Sequence, residues 1–415
     1  MNPALENLAC RGFFKQCTDT DGLSRLMDAG PLTFYVGCDP TGPSLHIGHM
    51  VPFFAFRHLK EAGHRGIALI GGGTARIGDP SGKTENRKLL SYENLDANAL
   101  SVTRQLDRFL GFDGTASLWA DNKDWLAGLN YLDFLRDIGS HFSVNRMLGF
   151  EAYKQRLETG LSFIEFNYQL LQSYDFLELY RRYGCRLQIG GDDQWGNIVA
   201  GHELIRRIED AEVFGMTFPL ITTADGKKMG KTEKGALFLD PAAVAPYDFF
   251  QYWRNVRDTD TRRFLLMFTF LPIEECEALS ASGKNPNAAK ERLAWEVTAL
   301  IHGAGAADAA LAGAKAAFGG EGGDVGAMPR VGLAKAAFAA GYNVVDLFTD
   351  AGLVSSKSEA RRLVQQGGAF VSSPGAEAFA AAADITCVIR EDQLSSQGEL
   401  VLRAGKKRYC LVQAT

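Results

Sequence analysis

The chain has 415 residues, 46% of them hydrophobic, which implies two or three well-packed domains. Its net charge of −5 does not mark a nucleic-acid binder, but local clusters matter more than the total, and Arg403, Lys406, Lys407 and Arg408 group near the C-terminus. No apolar run reaches membrane-spanning length, and the opening MNPALENLACRGFFKQCTDTDG lacks the basic and apolar regions of a signal peptide, so a cytoplasmic location is expected.

The predicted elements begin with FYVGCD (34–39), a short apolar strand ending in a turn, followed by a helix from Ile47 to Ala62. IALIGGG (67–73) is a second buried strand running into glycines. A helical stretch over 86–111 and the short strand SLWA (117–120) come next. RLQIGG (186–191) leads into a further helix over 194–209. Strands alternating with helices predict an α/β fold with a parallel, doubly wound sheet. Ligands of such sheets sit beyond the carboxyl ends of the strands. Gly37 to Asp39, Gly71 to Gly73 and Gly190 to Asp193 are three such ends, expected to converge on one pocket.

Residues 124–180 are rich in aromatic and helical signals. Ser162 and Glu165 form a capping box that opens a helix carrying Tyr168, Gln172 and Asp175. Their i, i+4, i+7 spacing puts these three on one helical face. Beyond Pro241 the strand pattern stops and 246–303 read as helices, ending in AAKERLAWEVTALIHG. Residues 303–328 are Gly/Ala-rich, a linker or a loose helix. A third segment starts near Gly341. There Ser356 and Glu359 cap a basic helix, Gly367 suits its C-terminal cap, and FVSS, ITCVIR, LVLR and RYCLV read as short strands. The expected division is 1–240, with an insertion at about 120–160, then 241–330, then 341–415. The seven cysteines are scattered, with no C-x-x-C pair, so neither a disulfide framework nor a structural zinc site is expected.

Two short motifs carry chemistry. His46-Ile47-Gly48-His49 opens a helix. Its histidines share a face, Gly48 leaves room for a base or ribose, and helix N-terminal N–H groups attract phosphate. The same letters are compatible with a pair of capping or core histidines. Lys228-Met229-Gly230-Lys231-Thr232 lies in a polar, glycine-punctuated stretch whose lysines can wrap a polyphosphate. A solvated basic loop is its plainer reading. Gly82-Lys83-Thr84 and Gly230-Lys231-Thr232 both mimic the end of a P-loop, but Ile77 and Asp225 occupy the required glycine position. Arg76 likewise replaces the third glycine of a dinucleotide fingerprint.

Together, a HIGH sequence after the first predicted strand and a KMGKT loop far downstream resemble the class I aminoacyl-tRNA synthetases. FYVGCDPTGPSLHIGHMVP, GGGTARIGDPSGKTENR, FNYQLLQSYDF and LQIGGDDQWGNI resemble, in order, the bacterial tyrosyl-tRNA synthetases. SEARRLVQQGGAFV and LRAGKKRYCLV resemble an S4 RNA-binding domain. The resemblance covers nearly the whole chain. It implies a Rossmann-type catalytic domain, a helical anticodon-contacting domain and a small α+β S4-like domain.

The residue roles follow from the same resemblance. Tyr35 and Asp175 would bind the substrate phenol, and Asp79, Tyr168 and Gln172 the substrate ammonium. Gly37, Asp39, Gly48, Gly191, Asp193 and Gln194 would line the nucleotide. Thr41 and His46 would contact the γ-phosphate and His49 the ribose. Lys83, Arg87, Lys228, Lys231 and Thr232 would hold pyrophosphate. In isolation Tyr35 reads as a core aromatic, Asp175 as a surface carboxylate and Asp79 as a turn residue before Pro80. A site built around a phenol hydroxyl rejects phenylalanine strongly; tyrosyl-tRNA synthetase is the standard illustration of that rule. ATP would bring Mg²⁺ with it, and no metal cage of the protein's own is expected. The partners implied are L-tyrosine, ATP and tRNA(Tyr), the last gripped by Lys357, Arg361, Arg362, Lys406, Lys407 and Arg408. A homodimer through 132–147 is implied as well. Two residues depart from the family pattern: Val36 stands where some members have cysteine, and Asp192 where many have serine, the latter expected to add a carboxylate near the nucleotide. A tryptophanyl-type enzyme and a non-catalytic RNA-binding descendant are the alternatives. Tyr35 with Asp175 speaks against the first, and intact HIGH histidines and loop lysines against the second.

Overall fold

Strands that are apolar without alternation bury both faces, and such strands pair in parallel beneath helices. The computed structural model describes residues 1–81, 90–222, 231–232, 235–317, 330–373, 379–405 and 408–415. In it the chain divides into two units, Met1–Val244 with Val256–Ala289, and Ala245–Asn255 with Lys290–Thr415.

The first unit is built on a six-stranded sheet of β1 (Gln16–Cys17), β2 (Thr33–Cys38), β3 (Arg65–Ile70), β4 (Ser117–Asp121), β5 (Cys185–Gly191) and β6 (Phe214–Phe218). Their spatial order is β1-β6-β5-β2-β3-β4. β2 to β6 run parallel and β1 is antiparallel at the edge. The parallel strands therefore all finish at one edge of the sheet. Strand order reverses between β2 and β5, which opens a crevice there.

Aromatic rings fill the space between sheet and helices. The helix Ile47–Glu61 buries Phe53, Phe54 and Phe56. Phe56 meets Phe34 of β2 edge-on, with centroids 5.0 Å apart. That ring lies directly on β3, where a Cβ at Gly66 would sit 2.3 Å from its Cζ, so only glycine fits. Beyond β1 and β6, which the sequence reading did not include, further backbone details differ from it or add to it. The helix expected over 86–111 spans Tyr92–Leu110, with Ser91 accepting from the Asn94 N–H. The Gly/Ala-rich stretch forms a helix over Ala304–Ala317, and 318–329 fall outside the described residues. ITCVIR pairs only through Val388–Ile389. Two further short strands, β7 (Lys231–Thr232) and β8 (Gly235–Ala236), form a hairpin.

The second unit contains a five-stranded sheet. Arg330–Leu333 pairs in parallel with Arg408–Ala414, which pairs antiparallel with Glu399–Ala404, then Ala369–Ser372, then Ala380–Ala381. One sheet face packs Leu400, Leu402, Cys410 and Val412 against Leu347, Phe348, Ala360 and Val364. The helix Lys357–Gln365 starts at Ser356, whose Oγ accepts from the Glu359 N–H. The Glu359 carboxylate reaches back one residue further than a capping box would, to the N–H and hydroxyl of Ser355 at 2.8 Å each. All seven cysteines are free thiols.

Candidate active site

At the carboxyl ends of the strands, two chains of hydrogen bonds join residues far apart in sequence. The first starts at Asp175, which is 2% exposed on the long helix Phe163–Tyr183. That helix starts as expected, with the Ser162–Glu165 capping box complete. Asp175 accepts from the Trp125 indole at 2.8 Å and from Asn122 Nδ2 at 2.9 Å. The same Asn122 amide donates to Thr74 Oγ1 at 2.9 Å, and Thr74 donates to Asp39 Oδ1 at 2.8 Å. Tyr168 closes the chain, its hydroxyl donating to Asp39 Oδ2 at 3.1 Å. A Cβ at Gly71 would lie 2.0 Å from Asp39 Oδ1, which explains the glycine directly after β3.

Tyr35 lies in the same region, 1% exposed, with its ring 5.3 Å from Phe176. Its hydroxyl is buried without a hydrogen-bond partner among the described residues. Burial and the neighbouring Asp175 carboxylate push the Tyr35 phenol well above its ordinary range. Burial pushes Asp175 itself up to about 8, against the opposing pull of Asn122 and Trp125. Burial, with Asp39 close by, likewise raises Tyr168.

The second chain surrounds Asp79. Its Oδ1 accepts from the Ser81 N–H at 2.9 Å, the turn geometry expected before Pro80. Its Oδ2 accepts from Gln194 Nε2 at 2.7 Å. Gln194 Oε1 accepts from Gln172 at 3.2 Å and from Asn197 at 3.2 Å, while Asn197 also donates to Gln172 Oε1 at 3.0 Å. Gln194 thus joins Asp79 to Gln172. Gly191 caps the short turn Asp192–Gln194 that carries Asp193.

The histidine motif shows the helix capping that was one of the readings the sequence left open. His46 is the N-cap of Ile47–Glu61, its N–H donating to His49 Nδ1 at 3.3 Å, and the two rings stack with centroids 3.6 Å apart. One helix-terminal donor is occupied: the Ile47 N–H meets Leu237 O at 3.0 Å. Leu239 N–H donates in turn to Leu45 O at 2.9 Å, and His46 forms a β-bridge with Phe238. The segment after the second motif is therefore paired to the start of the first. Lys231, opposite Ala236 in the hairpin, is two residues of register from that bridge. Thr41 is exposed, with its N–H on Asp39 O at 2.8 Å.

Lys83, Arg87, Lys228, Lys406 and Lys407 lie outside the described residues, and Lys231 and Thr232 are described by their backbone alone. In the second unit Arg361 and Arg362 are exposed, Lys357 pairs with Asp346 at 2.8 Å, and Arg408 donates to Leu353 O and Glu359. Asp192 Oδ1 accepts from Gln16 Nε2 at 2.8 Å and Thr217 Oγ1 at 3.1 Å, which engages that oxygen with β1 and β6. Sequence reasoning missed Thr74, Asn122, Trp125 and Asn197. A signal existed for two of them, since NKDW follows a fourth strand end just as the recognised motifs follow theirs.

The family described as tRNA synthetases class I (W and Y) matches residues 27–319, and the tyrosine–tRNA ligase SYY-like C-terminal domain matches 326–412. A tyrosine–tRNA ligase of Treponema pallidum is 62% identical over 408 residues, covering 98% of each chain. The chain belongs to the bacterial tyrosine–tRNA ligase family. A second such ligase, from Treponema denticola, is 60% identical over 99% of this chain and 98% of its own. Among solved structures, a C-terminally truncated mitochondrial tyrosyl-tRNA synthetase of Aspergillus nidulans is 31% identical with a TM-score of 0.67, over 74% of this chain and 92% of that one. The first unit's parallel sheet, with a crevice at its strand ends, is the Rossmann-like fold shared with that family.

Proposed function

We propose that this chain activates L-tyrosine with ATP and transfers the tyrosyl group to the terminal adenosine of tRNA(Tyr). The observation that carries the substrate assignment is the buried, unpartnered Tyr35 hydroxyl beside Asp175. A buried polar group without a partner is costly. A substrate phenol relieves that cost, accepting from Tyr35 and donating to Asp175. Phenylalanine leaves the Tyr35 hydroxyl unpaired, and an indole offers no phenol to bind.

The tyrosine ammonium is read by Asp79, Tyr168 and Gln172. The carboxylate attacks the α-phosphate in line and pyrophosphate leaves. ATP arrives as its Mg²⁺ complex, the metal entering as part of the substrate. His46, Thr41, Lys83, Arg87, Lys228, Lys231 and Thr232 surround the phosphates, and His49, Gly37, Asp39, Gly48, Gly191, Asp193 and Gln194 the nucleoside. Catalysis on this reading is positioning plus stabilisation of developing phosphate charge. The terminal ribose hydroxyl of the tRNA then attacks the adenylate carbonyl and AMP leaves.

The helical segment 241–330 and the S4-like segment 341–415 serve the tRNA, with Lys357, Arg361, Arg362, Lys406, Lys407 and Arg408 toward phosphates. Tyr131, Leu132, Val144 and Phe163, between 56% and 74% exposed, support a homodimer through the insertion. No helix among the described residues is long and apolar enough to cross a membrane, and a cytoplasmic location accords with the proposed work. ATP–pyrophosphate exchange with each amino acid tests the reading. Exchange stimulated by tyrosine is expected; stimulation by tryptophan and not tyrosine would overturn it.

A further inference from the structure

Gln16 and Thr217 face one another across the antiparallel β1–β6 pair. Residues directly opposite in such a pair project to the same face. Both side chains donate to one oxygen, Asp192 Oδ1, at 2.8 and 3.1 Å. Thr217 is fully buried, so its hydroxyl depends on that partner. Asp192 begins the turn Asp192–Gln194, whose far end is tied separately to Asp79 and Gln172. Asp193 sits between the two anchors.

We propose that Gln16, Asp192 and Thr217 form a clamp that sets the position of Asp193 for ATP. Gln16 and Thr217 are thus positioning residues of the adenylation step, acting from the antiparallel edge of the sheet. The inference rests on reading the 191–194 turn as part of the ATP site. Two donors on one carboxylate oxygen make a stiff anchor, because charge-assisted hydrogen bonds are the strong ones. Stiffness matters here, since an ångström of misplacement at a reacting centre is costly in rate. The tyrosine side is separate, because the bonds of Gln194 to Asp79, Gln172 and Asn197 involve none of Gln16, Asp192 and Thr217.

The test uses the full chain and measures KM for ATP and for tyrosine separately in pyrophosphate exchange, with Thr217→Val, Thr217→Ser and Gln16→Leu. Thr217→Val and Gln16→Leu are each expected to raise the ATP KM roughly tenfold, the scale of one lost bond to a charged group, while the tyrosine KM stays within about twofold. Thr217→Ser keeps the hydroxyl and restores the ATP KM. An unchanged ATP KM overturns the clamp, and so does a parallel rise in both constants or a serine variant that fails to restore. If Thr217→Val does not fold, Gln16→Leu decides, since Gln16 is only half-buried. Absence of tyrosine-stimulated exchange in the unmutated chain would overturn the assigned activity instead. ATP affinity from titration calorimetry, compared between the unmutated chain and the variants, would then decide the clamp.

Discussion

The Trp125 indole N–H donates to the Asp175 carboxylate at 2.8 Å, fully buried, and this bond joins the fourth strand end to the central helix. Arg182 stands over the outer side of the same indole, 5.1 Å from the ring centroid. Trp125 and Asn122 hold the carboxylate in place before any substrate arrives, and they oppose the upward push of burial on it.

Removing one of these donors should therefore damage tyrosine recognition selectively. Trp125→Phe is expected to raise the tyrosine KM by about tenfold and to narrow discrimination against phenylalanine, with the ATP KM unchanged. Exchange kinetics with both amino acids check this. An unaltered tyrosine-to-phenylalanine ratio would remove Trp125 from the recognition site.

Two buried groups should shape the pH dependence of stability, with opposite signs. Asp175 has a folded pKa near 8, above its unfolded value, so its contribution is present at low pH and is lost as pH rises toward 8. Asp175→Asn is expected to raise Tm at pH 8.5 by roughly 2–4 °C for each kcal/mol relieved, and to give no gain near pH 4. Thermal melts of the ligand-free protein at both values measure it. His58 acts the other way. Burial, aided by Arg11 and Arg57, pushes it down to about 3, and its ring packs 4.6 Å from Phe270 and 6.0 Å from Phe13. A histidine held neutral contributes stability above its unfolded pKa and loses it as pH falls. The loss amounts to about 2 kcal/mol by pH 5. His58→Leu should flatten this acid limb in urea titrations at pH 7 and pH 5. The two slopes oppose each other from about pH 6.5 down to about pH 4, so the single variants are needed to see either.

The hairpin lysine should act on phosphate alone. Lys231→Ala is expected to slow adenylate formation by about 10²–10³-fold while leaving tyrosine affinity nearly unchanged. Single-turnover kinetics and equilibrium tyrosine binding separate the two effects. Undiminished turnover would remove the loop from catalysis.

The insertion should hold two copies together. Phe163, 71% exposed at a helix start, and Leu132, 74% exposed, have no core to serve within one chain. Phe163→Asp with Leu132→Asp should shift the sedimentation profile from dimer to monomer without lowering Tm by more than a few degrees. A monomeric unmutated chain would discard this interface.

Arg361→Ala with Arg362→Ala should weaken tRNA binding without affecting pyrophosphate exchange. The slope of log K against log salt should fall by about 0.7–0.9 for each phosphate that is no longer neutralised. Filter binding across a salt series reads this directly.

Much of the site was legible because its signals are local. A glycine at a strand end, a serine three residues before a glutamate, or histidines three apart state their meaning within one turn of chain. These features marked Asp39, the Gly71 turn, the helix of Tyr168 and Asp175, and the histidine-led helix. The partner of Asn122 and Trp125 was not legible: NKDW follows a strand end, but nothing in it says that it faces a carboxylate 50 residues on. The clamp on Asp192 was illegible for the same reason. Its donors come from a two-residue edge strand and from β6, which is distant in sequence and adjacent only in the sheet.

By itself the sequence marked β2, β3, β4 and β5 as strands, the helices after β2 and β5, and which side chains carry charge at their ends, because backbone preference and hydrophobic period act over a few residues. The order β1-β6-β5-β2-β3-β4, the pairing of Leu237–Leu239 with Leu45–Ile47, and the convergence of Trp125, Asn122 and Asp175 were decided by the tertiary structure. Those contacts join residues whose separation along the chain exceeds the range of any local preference. They form only when burial of the apolar strands on both faces brings distant strand ends to one edge.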